Sequence, residues 1–140
     1  MKLGKFAQVA ALCFCILSIN QFAHAQATVR VGGWALTANG KLAKNFEYRG
    51  SCPVNLQFDW GLIATAPTEV KYRFKRSDDS LPSAFKKVRL PKGNDSVDVT
   101  DTWDLGANTN DFKDYKGWIK LITFEPNKIE QKIDFTLHCK

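Results

Sequence analysis

The aspartates of "DVTDTWD" are the first residues to weigh for chemistry. Asp98, Asp101 and Asp104 recur along one short run. Two carboxylates a few ångströms apart can exchange protons or attack a glycosidic carbon. The residues between them point elsewhere. Val97, Val99 and Trp103 share one parity, and Asp98, Thr100 and Thr102 the other. That is the period-2 pattern of a half-buried strand. Asp98 and Asp104 then share its wet face, while Asp101 falls with Val99 and Trp103. An inward Asp101 needs a partner or a bend in the strand, because an unpaired buried carboxylate is costly.

The remaining catalytic inventory is thin. Beyond residue 25 the chain has one histidine, His138, expected to face solvent near the end of an edge strand. No serine sits in a nucleophile-elbow motif, and no glycine-rich phosphate loop occurs. The expectation is a protein that is not an enzyme and uses no cofactor. The loop "LGANTNDFKDYKG" offers Asp104, Asn108, Asn110, Asp111 and Asp114. Calcium takes six to eight oxygens, so this loop is the candidate cation site. It lacks the fixed glycine and final glutamate of a calcium hand, and Lys113 and Lys116 oppose a cation there. Two cysteines and His138, without C-x-x-C spacing, do not make a zinc site. No metal is expected.

The compartment is written at the start. Lys2 and Lys5 precede a mostly apolar, uncharged run from Phe6 to Ile19, and Ala23-His24-Ala25 supplies the small residues of a cleavage site. That order reads as a secretory signal peptide over residues 1–25, leaving one domain over residues 26–140. The apolar run is short for a membrane span, which needs about 20 residues, and no other stretch is longer. Neither Leu12 nor Phe14 is the small residue expected before a lipid-anchored cysteine. The expected location is the periplasm or the extracellular space. Cleavage removes two lysines and no acid, so the formal charge falls from +6 to +4. That is mildly basic. It is far from the charge density of a dedicated nucleic-acid binder, so nucleic acid is not the expected partner.

Cys13 and Cys15 leave with the signal; Cys52 and Cys139 stay. Two cysteines in an exported chain pair. The bridge closes a loop of 87 residues. Loop-closure entropy puts that at about 4 kcal/mol as an upper value. Because Cys139 is the penultimate residue, the bridge fastens the last segment to the body.

The elements that hold these residues alternate with period 2. Val54, Leu56 and Phe58 share a parity. So do Val70, Tyr72 and Phe74; Ile119 and Leu121; and Ile133, Phe135 and Leu137. "VRV" and "AFKKVRL" read as two shorter strands. "TAPTE", "RSDDSLPS", "LPKGNDS" and "EPNK" carry turn chemistry between them. The pattern predicts an all-β fold: a two-sheet antiparallel sandwich of about seven strands closed by one disulfide. Its predicted core is Val54, Leu56, Phe58, Leu62, Tyr72, Phe74, Trp103, Leu105, Ile119, Leu121, Ile133, Phe135 and Leu137. The stretch 32–49 resists assignment, although Asn39-Gly40 suits a hairpin turn.

Five motifs in order carry a resemblance: "CPVNLQF", "VKYRFKRSDDS", "TWDLG", "GWIKL" and "IDFTLHC". Together they resemble immunoglobulin-like or fibronectin-type-III-like modules of exported bacterial proteins, over about two-thirds of the chain. The resemblance implies an immunoglobulin-like sandwich and leaves function open, since such modules host many roles. The sequence departs from an antibody domain, which bridges its sheets between two core cysteines packed on a tryptophan. Cys52 and Cys139 stand at a strand start and a strand end.

In such a connectivity "KYRFKR" neighbours "GWIKLI", which neighbours "QKIDFTL". Their outward parities combine Lys71, Arg73 and Lys75 with Trp118, Lys120 and Ile122, then Lys132, Asp134 and Thr136. Lys86, Lys87 and Arg89 extend the edge. Arg73 is expected to stack on Trp118. Lysines on strands also discourage edge-to-edge aggregation. The exposed tryptophan and isoleucine argue for more, a face that binds an acidic protein or an anionic cell-surface component. The competing expectation is a structural or accessory subunit that pairs with another protein through its sheet edges.

Overall fold

The computed structural model describes residues 25–80, 84–91, 95–107 and 112–140. Of residues 1–25 it describes Ala25 alone, and Asn108, Asn110 and Asp111 of the oxygen-rich loop lie outside the described residues. Nine strands occur among the described residues: β1 (Val29–Ala38), β2 (Lys41–Leu42), β3 (Glu47–Gly50), β4 (Val54–Ala64), β5 (Thr68–Arg76), β6 (Lys86–Leu90), β7 (Ser96–Leu105), β8 (Tyr115–Glu125) and β9 (Ile129–Cys139). They form a four-stranded sheet in the order β2-β1-β4-β7 and a five-stranded sheet in the order β3-β9-β8-β5-β6.

The inner faces meet through the aromatic residues that alternation turned inward. Trp60 of β4 stacks on Phe74 of β5 with centroids 5.1 Å apart, and Phe58 lies 5.3 Å from Phe135 of β9. Trp103 of β7 meets Phe135 edge-on at 5.7 Å. Every core residue named from the sequence is buried. At about 1.5–3 kcal/mol for each large apolar side chain, these residues supply most of the folding drive. The expected bridge between Cys52 and Cys139 is present, with Cα atoms 5.5 Å apart. Gly106, at φ +85°, sits against it: a Cβ there would come within 2.7 Å of the Cys52 Cβ.

Three features differ from the sequence reading. First, there are nine strands rather than about seven. The extra two, β2 and β3, come from the unassigned stretch 32–49. Asn39 and Gly40 both adopt positive φ and form a two-residue hairpin between β1 and β2. Second, one ladder is parallel. After the turn at Lys44–Phe46 the chain changes sheets, so β3 arrives beside β9 in the same direction. Third, β1 runs well past "VRV". Its register shifts between Val31 and Gly33, which leaves Gly32 as an extra residue. Val29 is buried before the shift and Leu36 after it, at opposite parities, so the alternation cancels across the bulge.

The two sheets are also tied by polar contacts. Asp101 points inward as its parity requires and meets Arg76 of β5 at 2.9 Å. Both side chains are about nine-tenths buried, and the guanidinium also lies over the Trp103 ring. At the opposite end Asn127 bonds both backbone groups of Val29, pinning β1 to the β8–β9 turn.

Candidate functional site

β8 lies between β5 and β9, which brings the sequence-identified basic residues onto one outer face. Cross-strand register sets them in rows. Lys75 pairs with Lys120, and Lys120 pairs with Lys132, so three lysines stand directly opposed across three strands. The next row is Arg73–Ile122–Glu130. At the edge Lys71 pairs with Lys87 of β6. Paired side chains sit about 4.5–5.5 Å apart at Cβ, and like charges so placed are destabilising.

Acidic neighbours relieve part of this. Lys120 reaches Glu130 at 2.9 Å, Lys132 reaches Asp134 at 2.9 Å and Lys87 reaches Glu69 at 2.8 Å. The hydrogen bond from Lys120 holds the Glu130 carboxyl below its ordinary value. The bond from Lys87 does the same for Glu69, and raises the Lys87 ammonium in return. Lys75 is half exposed, and among the described residues its one acidic approach is to Asp79 at 4.0 Å.

The apolar part of the face is not where the sequence put it. Ile122 is 6% exposed, covered by its neighbours instead of lying open. Arg73 does not stack on Trp118. It lies over Phe124 at 5.3 Å and Phe85 at 5.7 Å, while the Lys120 ammonium lies 5.9 Å from the Trp118 ring. Phe85 and Phe124 meet edge-on at 5.1 Å, and Lys71 sits 4.5 Å over Phe85. Phe85 is 50% exposed. This cluster of two rings and two cations is the part of the face the sequence reading missed. Phe124 continues the outward parity of Trp118, Lys120 and Ile122, which is the signal that could have found it. Phe85 lies just before β6, at the outward parity of Lys87 and Arg89 within the predicted strand "AFKKVRL", so the same signal extends to it. Lys86 leaves the face: it shares the inner parity with Tyr72 and reaches toward the Phe74 ring. Trp118 is half-buried and lines a separate hollow of 310 Å³ with Lys116 and Asp134.

Among the described residues the other sequence-identified ones do not converge. Asp98 and Asp104 lie on the outer face of the four-stranded sheet, Asp101 inside it. Asp104 accepts from Asn55, and Asp114 bonds His138 on the other sheet. Among the described residues no three His, Cys, Asp or Glu side chains group to hold a metal. His138 is not a free edge residue, because β3 covers β9. Its two ring nitrogens meet Asp114 at 2.6 Å and Glu47 at 2.7 Å. The hydrogen bond with His138 is the main reason the Glu47 carboxyl is held below its ordinary value.

The class these observations define is a two-sheet all-β domain, closed by one disulfide, with a basic outer face. The disulfide fits an oxidising, exported environment, and among the described residues no helix is long and apolar enough to cross a membrane. No protein-family model matches the chain, and the curated proteins contain no significant match to it.

Proposed function

We propose that the chain is a small exported, non-catalytic immunoglobulin-like module whose basic sheet face binds an acidic protein or an anionic envelope surface. The observation that carries this is the row Lys75–Lys120–Lys132. Direct opposition of three lysines costs stability, and a fold with no use for the charge gains nothing from it. Phe85, Phe124, Arg73 and Lys71 at one end supply the aromatic and cationic groups that anchor interfaces.

The immunoglobulin-like assignment is supported by strand order. β1-β4-β7 matches the A-B-E arrangement, and β9-β8-β5-β6 matches G-F-C with an added fourth strand. Export to the periplasm or beyond is supported by the disulfide and the signal-like segment 1–25.

The test is binding of the protein to vesicles of anionic phospholipid and to polyglutamate, at low and at high salt. Lys75→Glu combined with Lys132→Glu is expected to weaken both at least tenfold while the melting temperature holds. Unchanged binding in that variant removes the basic face as the site.

A second reading, a structural subunit that pairs through sheet edges, is favoured by one observation. β2 covers only Thr37 and Ala38, so among the described residues no strand covers the rest of that edge of β1. Sedimentation at high concentration decides: self-association that persists in the charge-reversed variant supports edge pairing, and a strict monomer opposes it.

A further inference from the structure

We propose that His138 is a pH-controlled latch: with both ring nitrogens protonated it holds Glu47 of β3 and Asp114 at the head of β8, and on losing one proton it keeps Glu47 and lets Asp114 go. The device is independent of what the basic face binds.

Geometry sets the proton count. The ring Nε2 lies 2.7 Å from Glu47 Oε1, and Nδ1 lies 2.6 Å from Asp114 Oδ1. A carboxylate only accepts, so each contact needs an N–H from the ring. A neutral imidazole carries one N–H and one bare nitrogen. Only the imidazolium makes both contacts. In the neutral ring a nitrogen lone pair would face a carboxylate oxygen at hydrogen-bond distance, and those two atoms must part. Imidazole is the side chain whose ordinary charge change falls between pH 5 and pH 8. The latch is therefore closed on the acid side of the ring's titration and open on the alkaline side.

The two arms are not equally held. The Glu47 side chain is 34% exposed, and its Oε1 also accepts from Arg49. It belongs to β3, whose ladder sets Glu47 to Gly50 against Thr136 to Cys139, and the Gly50 carbonyl takes the Lys140 amide as well. The Asp114 side chain is 79% exposed. Among the described residues it has no other hydrogen bond or ion pair. It stands just outside the β8–β9 ladder, whose last pair is Tyr115 with Leu137. The neutral ring thus keeps its proton on Nε2, for Glu47, and turns a bare Nδ1 to Asp114. What opens is the head of β8, which leads into Lys116 and Trp118 at the 310 Å³ hollow.

The charged groups on the surrounding elements supply no substitute. Arg49 stands opposite His138 on β3 and is bound to Glu47. On the β8 side Lys113 adjoins Asp114, and Lys116 pairs with Thr136. Lys140 follows on β9. Tyr48 and Tyr115 both pair with Leu137, at the inner parity, and Cys139 is held in the disulfide. The cations oppose charge on the ring, and the two carboxylates are what meet its nitrogens. The Glu47 carboxyl is held below its ordinary 4.5, chiefly by His138, so that arm stays charged well into acid.

The test is amide hydrogen exchange read by NMR at pH 5 and pH 8, corrected for intrinsic rates, with the ring followed by its nitrogen shifts. Protection at Tyr115 and Leu137 should fall about tenfold between the two, the scale of one charge-assisted hydrogen bond. Phe58 and Val99 in the other sheet should keep theirs, and Nδ1 should be the nitrogen that loses its proton. Asp114→Asn should stay latched at both pH values, because its amide can donate to the bare Nδ1. Asp114→Ala should be open at both. Equal protection of Tyr115 and Leu137 at the two pH values, or a pH dependence that persists in both Asp114 variants, overturns the latch. Loss of the proton from Nε2 overturns the choice of arm.

Discussion

The two outer faces of this domain solve the same problem in opposite ways. Each covers one sheet of a shared core. On the five-stranded sheet, large charged side chains stand in register, lysine against lysine, with aromatic rings among them. On the four-stranded sheet, glycine stands against glycine and the charges are mostly carboxylates. Crowded like charge costs stability on the first face, and missing side chains cost it on the second. The difference teaches that the inner faces answer for folding, while the outer faces are free to depart from the most stable choice.

The comparison can be broken first at what joins the two sheets. Reducing the protein, or replacing Cys52 and Cys139 by serine, frees the end of β9 from the start of β4. The expected loss is up to about 4 kcal/mol of unfolding free energy, read by denaturant titration. Equal stability of reduced and oxidised samples contradicts it. Next is the inner ion pair. Asp101→Ala leaves the Arg76 charge buried and should cost about 3 kcal/mol in the same titration, whereas Asp101→Leu with Arg76→Met together should cost far less. A double variant as unstable as the single would show that the pair adds net stability.

Smaller effects sharpen the contrast between the faces. Lys75→Glu places an acid opposite Lys120. It should raise stability by about 0.5 kcal/mol while weakening binding to anionic vesicles. A destabilised variant would mean that the lysine row is not strained. The smallest effect is in pH. Glu47, Glu69 and Glu130 all lie on the five-stranded sheet, and hydrogen bonds from His138, Lys87 and Lys120 hold each below its ordinary value of 4.5. A carboxyl lowered on folding stabilises the fold fully above pH 4.5, and that contribution is lost as pH falls through the lowered value. Unfolding titrations from pH 6 to pH 3 should show declining stability, with a shallower decline in Glu47→Gln. An unchanged slope in that variant would remove Glu47 from the account.

Much of the fold was legible because period-2 alternation survives in long strands. β4, β5, β7, β8 and β9 each keep one parity inward, and their apolar residues are buried as read. The inward turn of Asp101 was legible for the same reason. β1 was not, because the extra residue at Gly32 switches parity midway and erases the pattern. β2 and β3 are too short to show alternation. Of the candidate face, Lys71, Lys75, Lys120 and Lys132 were legible from outward parity, and Lys86 was misplaced. The Phe85–Phe124 cluster shares that outward parity and was missed because alternation gives a side, and not which rings on different strands meet. Ile122 was misplaced because parity says which side a residue takes, not whether its neighbours cover it.

By itself the sequence determined the all-β character, the core, the disulfide and the side on which the residues of β4, β5, β7, β8 and β9 lie. Those follow from backbone pleat and side-chain type, which are local. Register and coverage were decided only by the tertiary structure: which lysine opposes which, that Gly33 meets Gly61 and Asp98, and that β3 closes over His138. These depend on how distant strands slide against one another, and one residue of slip would rebuild every row without changing a single local preference.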